Sequence, residues 1–367
     1  MIMKHLSEYR DRALCESLLE KINRTHRTPI NLMEVCGTHT MSIARNGIRQ
    51  ILPKTINLIS GPGCPVCVTS QYEIDQFIEL ANQKDVIITT FGDLMRVPGS
   101  RSSLQKERAN GADVRVVYST LDCLDIAEKN PAKEVVFLGV GFETTAPTIA
   151  AAILGAQKKK LRNFSVISAH KVVPPALVAL MENEQVKVDG FICPGHVSVI
   201  IGARAYEPIA EKYHVPCVVT GFEPVDILQG LSMLVDQFES DDAKVEIAYR
   251  RTVTWEGNGR AMQVLNQVFE SEDAEWRGLG VIPGSGLKIR NEFSEFDALR
   301  KFDLDVPYAT DPPGCACGEI LAGTKNPFQC PLFGKACTPE TPVGPCMVSS
   351  EGTCAAYYRY HGQEIES

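Results

Sequence analysis

The stretch INLMEVCGTHTMSIARNGIRQIL, residues 30–52, decides the fold class. Its first seven residues form an apolar run typical of a buried parallel strand, and the residues from Met41 onward have the spacing of a helix. A strand that leads through a short Gly/Thr turn into a helix is a βα unit. The same order recurs along most of the chain, so the sequence predicts an α/β protein with parallel sheets.

Eight strands are predicted, in two series of four βα units. The first series has the strands INLMEVC, INLIS, DVIITT and DVRVVYS, and the second has KEVVFLGV, FSVISAH, VDGFICPGH and PCVVTG. We therefore expect two similar α/β domains, residues 30–132 and 133–240, with parallel sheets that face a cleft. The similarity of the two series indicates either an internal duplication or the features that all βα turns share.

The two ends of the chain lie outside these series. Residues 1–29 are charged throughout and predict an N-terminal helix, which we expect to pack on a third domain formed by residues 241–367. From Tyr308 onward the sequence is rich in Pro, Gly and Cys and has little periodicity. A segment with so few apolar repeats needs another source of order, and a metal centre would supply it.

Charge and composition exclude several classes of function. The net charge of −8 and the pI near 5.5 argue against non-specific nucleic-acid binding, which needs a basic surface. The sequence has no apolar run of about 18 residues and no apolar signal-peptide core, so we expect a cytoplasmic protein without a membrane partner. The thirteen cysteines should then be reduced and serve as ligands, catalysts or small apolar residues.

The loop GPGCPVC, residues 61–67, places Cys64 and Cys67 just before a predicted helix. A helix N-terminus stabilises a thiolate, so we expect both thiols to have a lowered pKa. CxxC in this position favours exchange between a dithiol and a disulfide. Half of a structural zinc site is the alternative, and it is disfavoured because the chain contains no second CxxC.

Further polar residues fall at the predicted ends of strands, where parallel sheets bind their ligands. CGTHT offers Cys36 and His39 as a thiolate ligand or nucleophile with a polar neighbour, or else a buried cysteine next to a capping threonine. Asp93 and Arg96 in FGDLMRVPG and His196 in CPGHVS could meet in the cleft. Taken singly, each of these three is more often a cap or turn residue.

The turn GVGFETTAP resembles a dinucleotide-binding fingerprint, because Gly139 and Gly141 follow a strand. Thr144 stands where the third glycine is expected, and Pro147 enters the start of the helix. Nucleotide binding is therefore not favoured.

The C-terminal cysteines predict a metal centre. Cys330, Cys337, Cys346 and Cys354 are separated by six, eight and seven residues, without the CxxC pairs of a zinc knuckle. Four thiolates in Pro/Gly-rich surroundings favour a [4Fe–4S] cluster over zinc. The nearby CAC pair, residues 315–317, could compete for the same cluster.

Six motifs together resemble the HypD family, which matures [NiFe]-hydrogenases. They occur in order over nearly the whole chain: CGTHTM, GPGCPVCVT, FGDLMRVPGS, GFETTAPT, CPGHVS and CPLFGKACTPE…GPCMVSSEGTCAAYY. The resemblance implies a scaffold, formed with the small chaperone HypC, on which the Fe(CN)₂CO group is assembled. It also implies HypE as the transient cyanide donor and the hydrogenase large subunit as an indirect partner.

The same resemblance implies roles for individual residues. Cys36 matches the iron-binding cysteine of the family, and Cys64 and Cys67 match its redox pair. His39, Asp93 and His196 match polar residues that line its cleft. The ligands of its [4Fe–4S] cluster match Cys330, Cys337, Cys346 and Cys354, whereas Cys315 and Cys317 fall outside this set.

Two other functions are compatible with these residues. An autonomous thiol oxidoreductase, similar to ferredoxin–thioredoxin reductase, would use the cluster and dithiol without a mononuclear iron. A structural adaptor would need only a zinc-stabilised tail. Infrared bands of iron-bound cyanide and CO would exclude the autonomous oxidoreductase. A colourless protein that contains zinc and no sulfide would favour the structural adaptor.

Overall fold

The fold is known from a computed structural model that describes residues 8–360. Eleven strands in this range form two parallel sheets and one antiparallel hairpin. In chain order they are β1 Ile30–Glu34, β2 Ile56–Ser60, β3 Val86–Thr90, β4 Asp113–Val116, β5 Glu134–Gly139, β6 Phe164–Ser168, β7 Gly190–Pro194, β8 Cys217–Thr220, β9 Val245–Ile247, β10 Phe269–Trp276 and β11 Gly280–Ile289.

Helices connect and cover the strands. The α-helices of the described range are α1 Arg12–Thr25, α2 Gly37–Arg45, α3 Ile48–Ile51, α4 Pro65–Val68, α5 Gln71–Ala81, α6 Leu104–Ala109, α7 Asp122–Lys129, α8 Ala146–Lys159, α9 Val173–Glu182, α10 Gly195–Ile201, α11 Glu207–Tyr213, α12 Pro224–Ser240, α13 Gly259–Val268, α14 Ala298–Lys301, α15 Cys317–Leu321, α16 Pro345–Val348 and α17 Thr353–Tyr360. None of them is long and apolar enough to cross a membrane.

The two parallel sheets confirm the predicted α/β class. The five-stranded sheet has the order β2-β1-β7-β8-β9, and the four-stranded sheet has the order β4-β3-β5-β6. All eight predicted strands are present, as β1 to β8. Strands β3, β7 and β8 are buried at every position, which explains why their sequences are continuous apolar runs rather than alternating ones.

Both sheets have a topological switch point at the same place. In each sheet the first strand lies between the second and the third along the chain, so β1 is next to β7 and β3 is next to β5. Connections leave such a pair of strands in opposite directions, and a crevice opens at their carboxyl ends. The topology alone thereby predicts one crevice in each sheet.

The division of the strands between the sheets differs from the predicted domains 30–132 and 133–240. Strands β1 and β2 pair with β7, β8 and β9, whereas β3 to β6 form the other sheet. The chain thus crosses between the sheets after β2 and again after β6, and the predicted boundary passes through the middle of the four-stranded sheet. An apolar run specifies a buried strand but not the strand with which it pairs.

The N-terminal helix also packs differently from the prediction. Helix α1 lies on α12, beside the five-stranded sheet, and not on the C-terminal region. Its buried Ile22 joins a core cluster with Leu228 and Leu231 of α12, and Lys21 pairs with Asp236 at 2.5 Å. The predicted helix began at residue 1, and residues 1–7 lie outside the described range.

The C-terminal region reaches back to the first sheet. After the β10–β11 hairpin the chain is largely irregular, with short helices, and α17 packs against α2. Most of the Gly-rich stretch GLGVIPGSGLKI, residues 278–289, forms β11. Because α2 begins at the carboxyl end of β1, this packing brings the cysteine-rich segment next to the β1/β7 crevice.

Candidate thiol site

The loop after β1 and the CxxC loop are bonded to each other. Cys36 is the N-cap of α2 and is 8% exposed. The amide of Gly37 donates to the carbonyl of Gly63 (2.8 Å), and the amide of Gly61 donates to the carbonyl of Glu34 (2.8 Å). A Cβ atom on Gly63 would lie 2.3–2.6 Å from the backbone of Cys36, so only glycine permits this approach. Cys36 and the CxxC loop therefore form one site.

The CxxC cysteines sit at the first turn of α4. Cys64 is its N-cap, its sulfur accepts a hydrogen bond from the amide of Cys67 (3.2 Å), and its thiol donates to Ser349 Oγ (3.3 Å). Burial raises the pKa of the Cys67 thiol well above its ordinary value. The predicted lowering is wrong for Cys67 because α4 is a single turn, too short a dipole to offset desolvation.

Glu351 joins Cys36 at the crevice, although the sequence did not single it out. Its carboxylate accepts a hydrogen bond from Thr38 Oγ1 (2.8 Å), and burial raises its pKa. The charge of Asp93, on the loop after β3, raises the pKa of Glu351 further. Burial, with the charge of Glu351, raises the pKa of Cys36 to about 12, so this thiol is protonated in the free protein.

Glu34 is a second carboxyl that sequence patterns did not reveal. It is fully buried at the end of β1 and accepts hydrogen bonds from Thr40 Oγ1 (2.7 Å) and the amide of Cys36 (3.4 Å). Arg49 Nη2 lies 3.9 Å from Glu34 Oε1. Burial raises the pKa of Glu34 to about 7 despite these partners. Its contacts fix the turn that presents Cys36.

The two predicted histidines both contact one aromatic ring, that of Phe222. His196 is exposed and stacks on Phe222 at 4.0 Å between ring centroids, and His39 contacts the same ring at 4.7 Å. His39 Nε2 faces the carbonyl of Gly221 (2.9 Å) and Thr220 Oγ1 (2.7 Å), while burial lowers the pKa of His39 to about 4. A carbonyl only accepts, so Nε2 carries the proton. The buried Nδ1 has no partner within residues 8–360.

The four predicted cluster ligands line one cavity. Its wall also contains Phe333 and Met347, and its cysteines are Cys315, Cys317, Cys330, Cys337, Cys346 and Cys354. The cavity thus contains two thiols, those of Cys315 and Cys317, beyond the four predicted ligands. The sulfur of Cys317 lies 2.9 Å from the sulfur of Cys346. No disulfide forms among the thirteen cysteines, all of which lie in the described range.

This cavity adjoins the CxxC helix. Helix α4, which carries Cys67, packs on α16, which carries Cys346. Across residues 8–360, no three His, Cys, Asp or Glu side chains converge as the ligands of a single metal ion do. The six cysteines instead surround a shared apolar space. That donor set is suited to a thiolate-bound metal group larger than one ion.

Comparison with known proteins identifies the family. A family model described as HypD, hydrogenase formation hypA family, matches residues 13–361. The chain belongs to the HypD family. It is 48% identical to hydrogenase maturation factor HypD2 of Bradyrhizobium diazoefficiens over 98% of this chain and 97% of that protein. It is 45% identical to hydrogenase maturation factor HypD of Escherichia coli over all of both chains. A putative hydrogenase expression/formation protein of Methanocaldococcus jannaschii is 46% identical over 95% and 98% of the two chains.

In this HypD-family chain the predicted site residues form two adjoining groups. Cys36, His39 and His196 lie around the β1/β7 crevice, and the charge of Asp93, on the loop after β3 of the other sheet, acts on Glu351 beside it. The predicted cluster cysteines form the second group, in the cavity. Cys64 and Cys67 lie between the groups, because the CxxC loop is bonded to the loop of Cys36 and α4 packs on α16.

Proposed function

We propose that this chain, a hydrogenase maturation factor, is the scaffold on which the Fe(CN)₂CO group is assembled. In this proposal it acts with HypC, receives cyanide from HypE and delivers the group indirectly to the hydrogenase large subunit. One observation supports the proposal above all others. The loop of Cys36 is bonded to the CxxC loop, and α4, which carries Cys67, packs on α16, which carries Cys346 of the cysteine-lined cavity. The proposed location is the cytoplasm, where thirteen unpaired thiols remain reduced.

Cys36 is the proposed ligand of the iron that the scaffold carries as its substrate. Low-spin iron(II) with cyanide and CO prefers a soft thiolate, and iron binding releases the thiol proton. One thiolate does not hold an iron tightly, so the second is proposed to come from HypC. His39, whose unprotonated Nδ1 only accepts hydrogen bonds, and Asp93 are available to orient ligands, and His196 is available to donate a hydrogen bond to cyanide nitrogen.

Cys64 and Cys67 are the proposed redox pair. Oxidation of the two thiols to a disulfide forms one S–S bond and releases two electrons and two protons. Cys330, Cys337, Cys346 and Cys354 would hold a [4Fe–4S] cluster, and the six-thiol, apolar cavity fits such a group. When bound, the cluster supplies one-electron transfer beside Cys67. Cys315 and Cys317 line the same cavity and would serve as neighbours or alternative ligands.

The experiment that tests this function is anaerobic co-purification with HypC, followed by infrared spectroscopy and metal analysis. The expected result is iron-bound cyanide and CO bands in the complex. Cys64→Ser and Cys67→Ser variants should keep the fold and the visible absorption of the cluster but lose hydrogenase maturation in cells. Cys217→Ser, which changes a buried thiol of β8 away from the site, is the control and should remain active.

The second candidate is an autonomous thiol oxidoreductase, which the packing of the CxxC helix α4 on α16, the helix of Cys346, also favours. It predicts cluster iron and dithiol chemistry without cyanide or CO bands. Full maturation activity in a Cys64→Ser or Cys67→Ser variant would remove the redox role from the proposed maturation function.

A further inference from the structure

A groove runs along the outer edge of β2, the terminal strand of the five-stranded sheet. Within residues 8–360, β2 pairs with β1 alone. The carbonyl of Thr55 and the amide of Gly61, at the two ends of the strand, both bond to β1. Backbone groups alternate in direction along a strand, so the amides of Leu58 and Ser60 point away from β1. We call the space they face, which β2 and residues 323–329 border, the edge groove; its volume is about 600 Å³.

The edge groove is positively charged in an acidic protein. Arg49, Lys54 and Lys325 line it, and no Asp or Glu belongs to its described lining. The whole chain, in contrast, has 45 acidic and 37 basic residues. Arg49 lies 3.9 Å from the buried Glu34, Lys325 pairs with Glu319 at 2.7 Å, and Lys54 has no ion-pair partner among the described residues. This local excess of positive charge complements an acidic segment.

The strand edge is only partly protected. Arg49 Nε donates to the carbonyl of Leu58 at 3.4 Å, a long hydrogen bond, and no bulge or proline interrupts β2. An open edge of this kind is a template for an added strand, in which main-chain hydrogen bonds supply affinity and side chains supply specificity. β2 ends at Ser60 and leads directly into the CxxC loop. A segment paired with β2 therefore lies next to the thiol site.

We propose that the edge groove binds an extended, acidic segment of a partner protein, which adds as a further strand on β2. Pairing to the amides of Leu58 and Ser60 would fix the segment, and Arg49, Lys54 and Lys325 would select for its carboxylates. The proposal depends on the proposed function in one respect, that partner proteins bind near the thiol site. The strand edge and the charges that would bind the segment involve no thiol.

The test uses the full-length protein and a fluorescent, acetylated peptide of alternating Glu and Val. Fluorescence anisotropy should show binding that weakens with salt. A peptide with Lys in place of Glu, and an acidic peptide with alternate amides N-methylated, should bind at least about tenfold more weakly. Hydrogen exchange at β2 should slow when the acidic peptide is added. Equal binding of the three peptides, or no binding, overturns the proposal.

Charge-reversal variants assign the binding to the groove. The Lys54→Glu/Lys325→Glu variant should bind the acidic peptide about tenfold more weakly, whereas the control Lys158→Glu, on an exposed face of α8, should bind normally. Unchanged binding by the groove variant overturns the proposal. Cys64→Ser should retain peptide binding, so that failure of the redox function and failure of the groove are distinguished.

The chain's own residues 361–367 contain Glu364 and Glu366 and are the competing occupant. If the Glu364→Gln/Glu366→Gln variant binds the acidic peptide much more tightly than the unmodified protein, the groove belongs to this segment and the proposal for a partner is overturned. Equal binding by this variant supports a partner protein.

Discussion

The crevices of the two parallel sheets occupy the same topological position but differ in chemistry. At β1/β7 the chain places Cys36, with His196 across the crevice, whereas at β3/β5 it places Asp93 and the buried Glu143. Glu143 Oε1 caps α9 through the amide of Val173 (2.9 Å), and its Oε2 has no partner within residues 8–360. The topology thus supplies two equivalent positions, and the turn residues decide that the first combines a thiol with its carboxyls whereas the second presents carboxyls.

The strongest test of this comparison is Cys36→Ala. We expect the complex with HypC to lose the mononuclear iron and its infrared bands completely, while cluster iron is unchanged, because Cys36 is outside the cysteine cavity. Cys123→Ala removes an equally buried thiol, bonded to Thr89 in the four-stranded sheet, and should keep the iron while costing about 1 kcal/mol of stability. Full cyanide and CO bands in Cys36→Ala would show that another residue holds the iron.

The connection between the two sheets contains α4, and Arg277 anchors its end. The Arg277 side chain is fully buried, donates from Nε to the carbonyl of Thr69 (3.1 Å) and pairs with Asp311. Arg277→Met leaves both partners unpaired, so we expect a loss of about 4 kcal/mol in the free energy of unfolding and faster alkylation of Cys67. Urea titration and timed alkylation measure the two effects.

Arg251→Met is the matched control for this prediction. Arg251 pairs with Asp226 on α12, away from the CxxC helix. It should lower stability without a change in the alkylation rate of Cys67. Equal acceleration in both variants would show that general loosening, not the anchoring of α4, exposes the thiol.

The buried carboxyls of the two crevices provide a pH test. Burial raises the pKa of Glu143 to about 7, so the folded state binds more protons than the unfolded state between about pH 4.5 and 7. The stability that this group contributes is full below about pH 4.5 and is lost as the pH rises through 7. Glu143→Gln should remove that loss, a gain of about 3 kcal/mol at pH 8 relative to the unmodified protein.

Glu34→Gln extends the same test to the first crevice. The pKa of Glu34 is also raised to about 7, a value that already includes the opposing charge of Arg49. We therefore expect Glu34→Gln to gain about 3 kcal/mol at pH 8 as well, with both variants measured by urea unfolding at pH 5 and 8. No gain in Glu34→Gln alone would show that the ion pair with Arg49 offsets the burial of the charged carboxylate.

The smallest expected effect concerns Thr38, whose hydroxyl holds Glu351 at the first crevice. Thr38→Val removes this half-buried hydrogen bond and should cost about 1 kcal/mol. Thr148→Val removes an exposed hydroxyl on α8 and should cost less than about 0.5 kcal/mol. Thermal unfolding of both variants measures the difference, and equal losses would contradict a role for Thr38 at the site.

The sequence predicted the strands well because burial on both faces imposes continuous apolar runs. It also placed Cys36 and the CxxC loop at one sheet edge, because parallel strands end on the same side. The assignment of strands to sheets and the packing of α1 were wrong. Both depend on contacts between residues far apart in the chain, such as Leu32 with Gly190, which no local pattern encodes.

The electrostatics of the site were less predictable. The motif GPGCPVC indicated a helix start after Cys64 but not that Cys67 would be fully buried, so the sign of its pKa shift was wrong. Glu351 was not predicted as a site residue, because its segment between Cys346 and Cys354 was interpreted only as a cluster-binding motif. Cys315 and Cys317 were left without a role because spacing along the chain does not report which thiols share a cavity.

The double crossing between sheets has a consequence for synthesis on the ribosome. β1 and β2 are complete at Ser60, but the strand that pairs with the other side of β1 begins at Gly190. At about 5–20 residues per second the intervening chain takes roughly 10 s to emerge, and β3 to β6 are finished within that interval. We expect the four-stranded sheet to fold first, while β1, the apolar strand that precedes Cys36, is paired on one side only. Slower elongation would lengthen the time for which the other edge of β1 is open and so increase aggregation of the nascent chain.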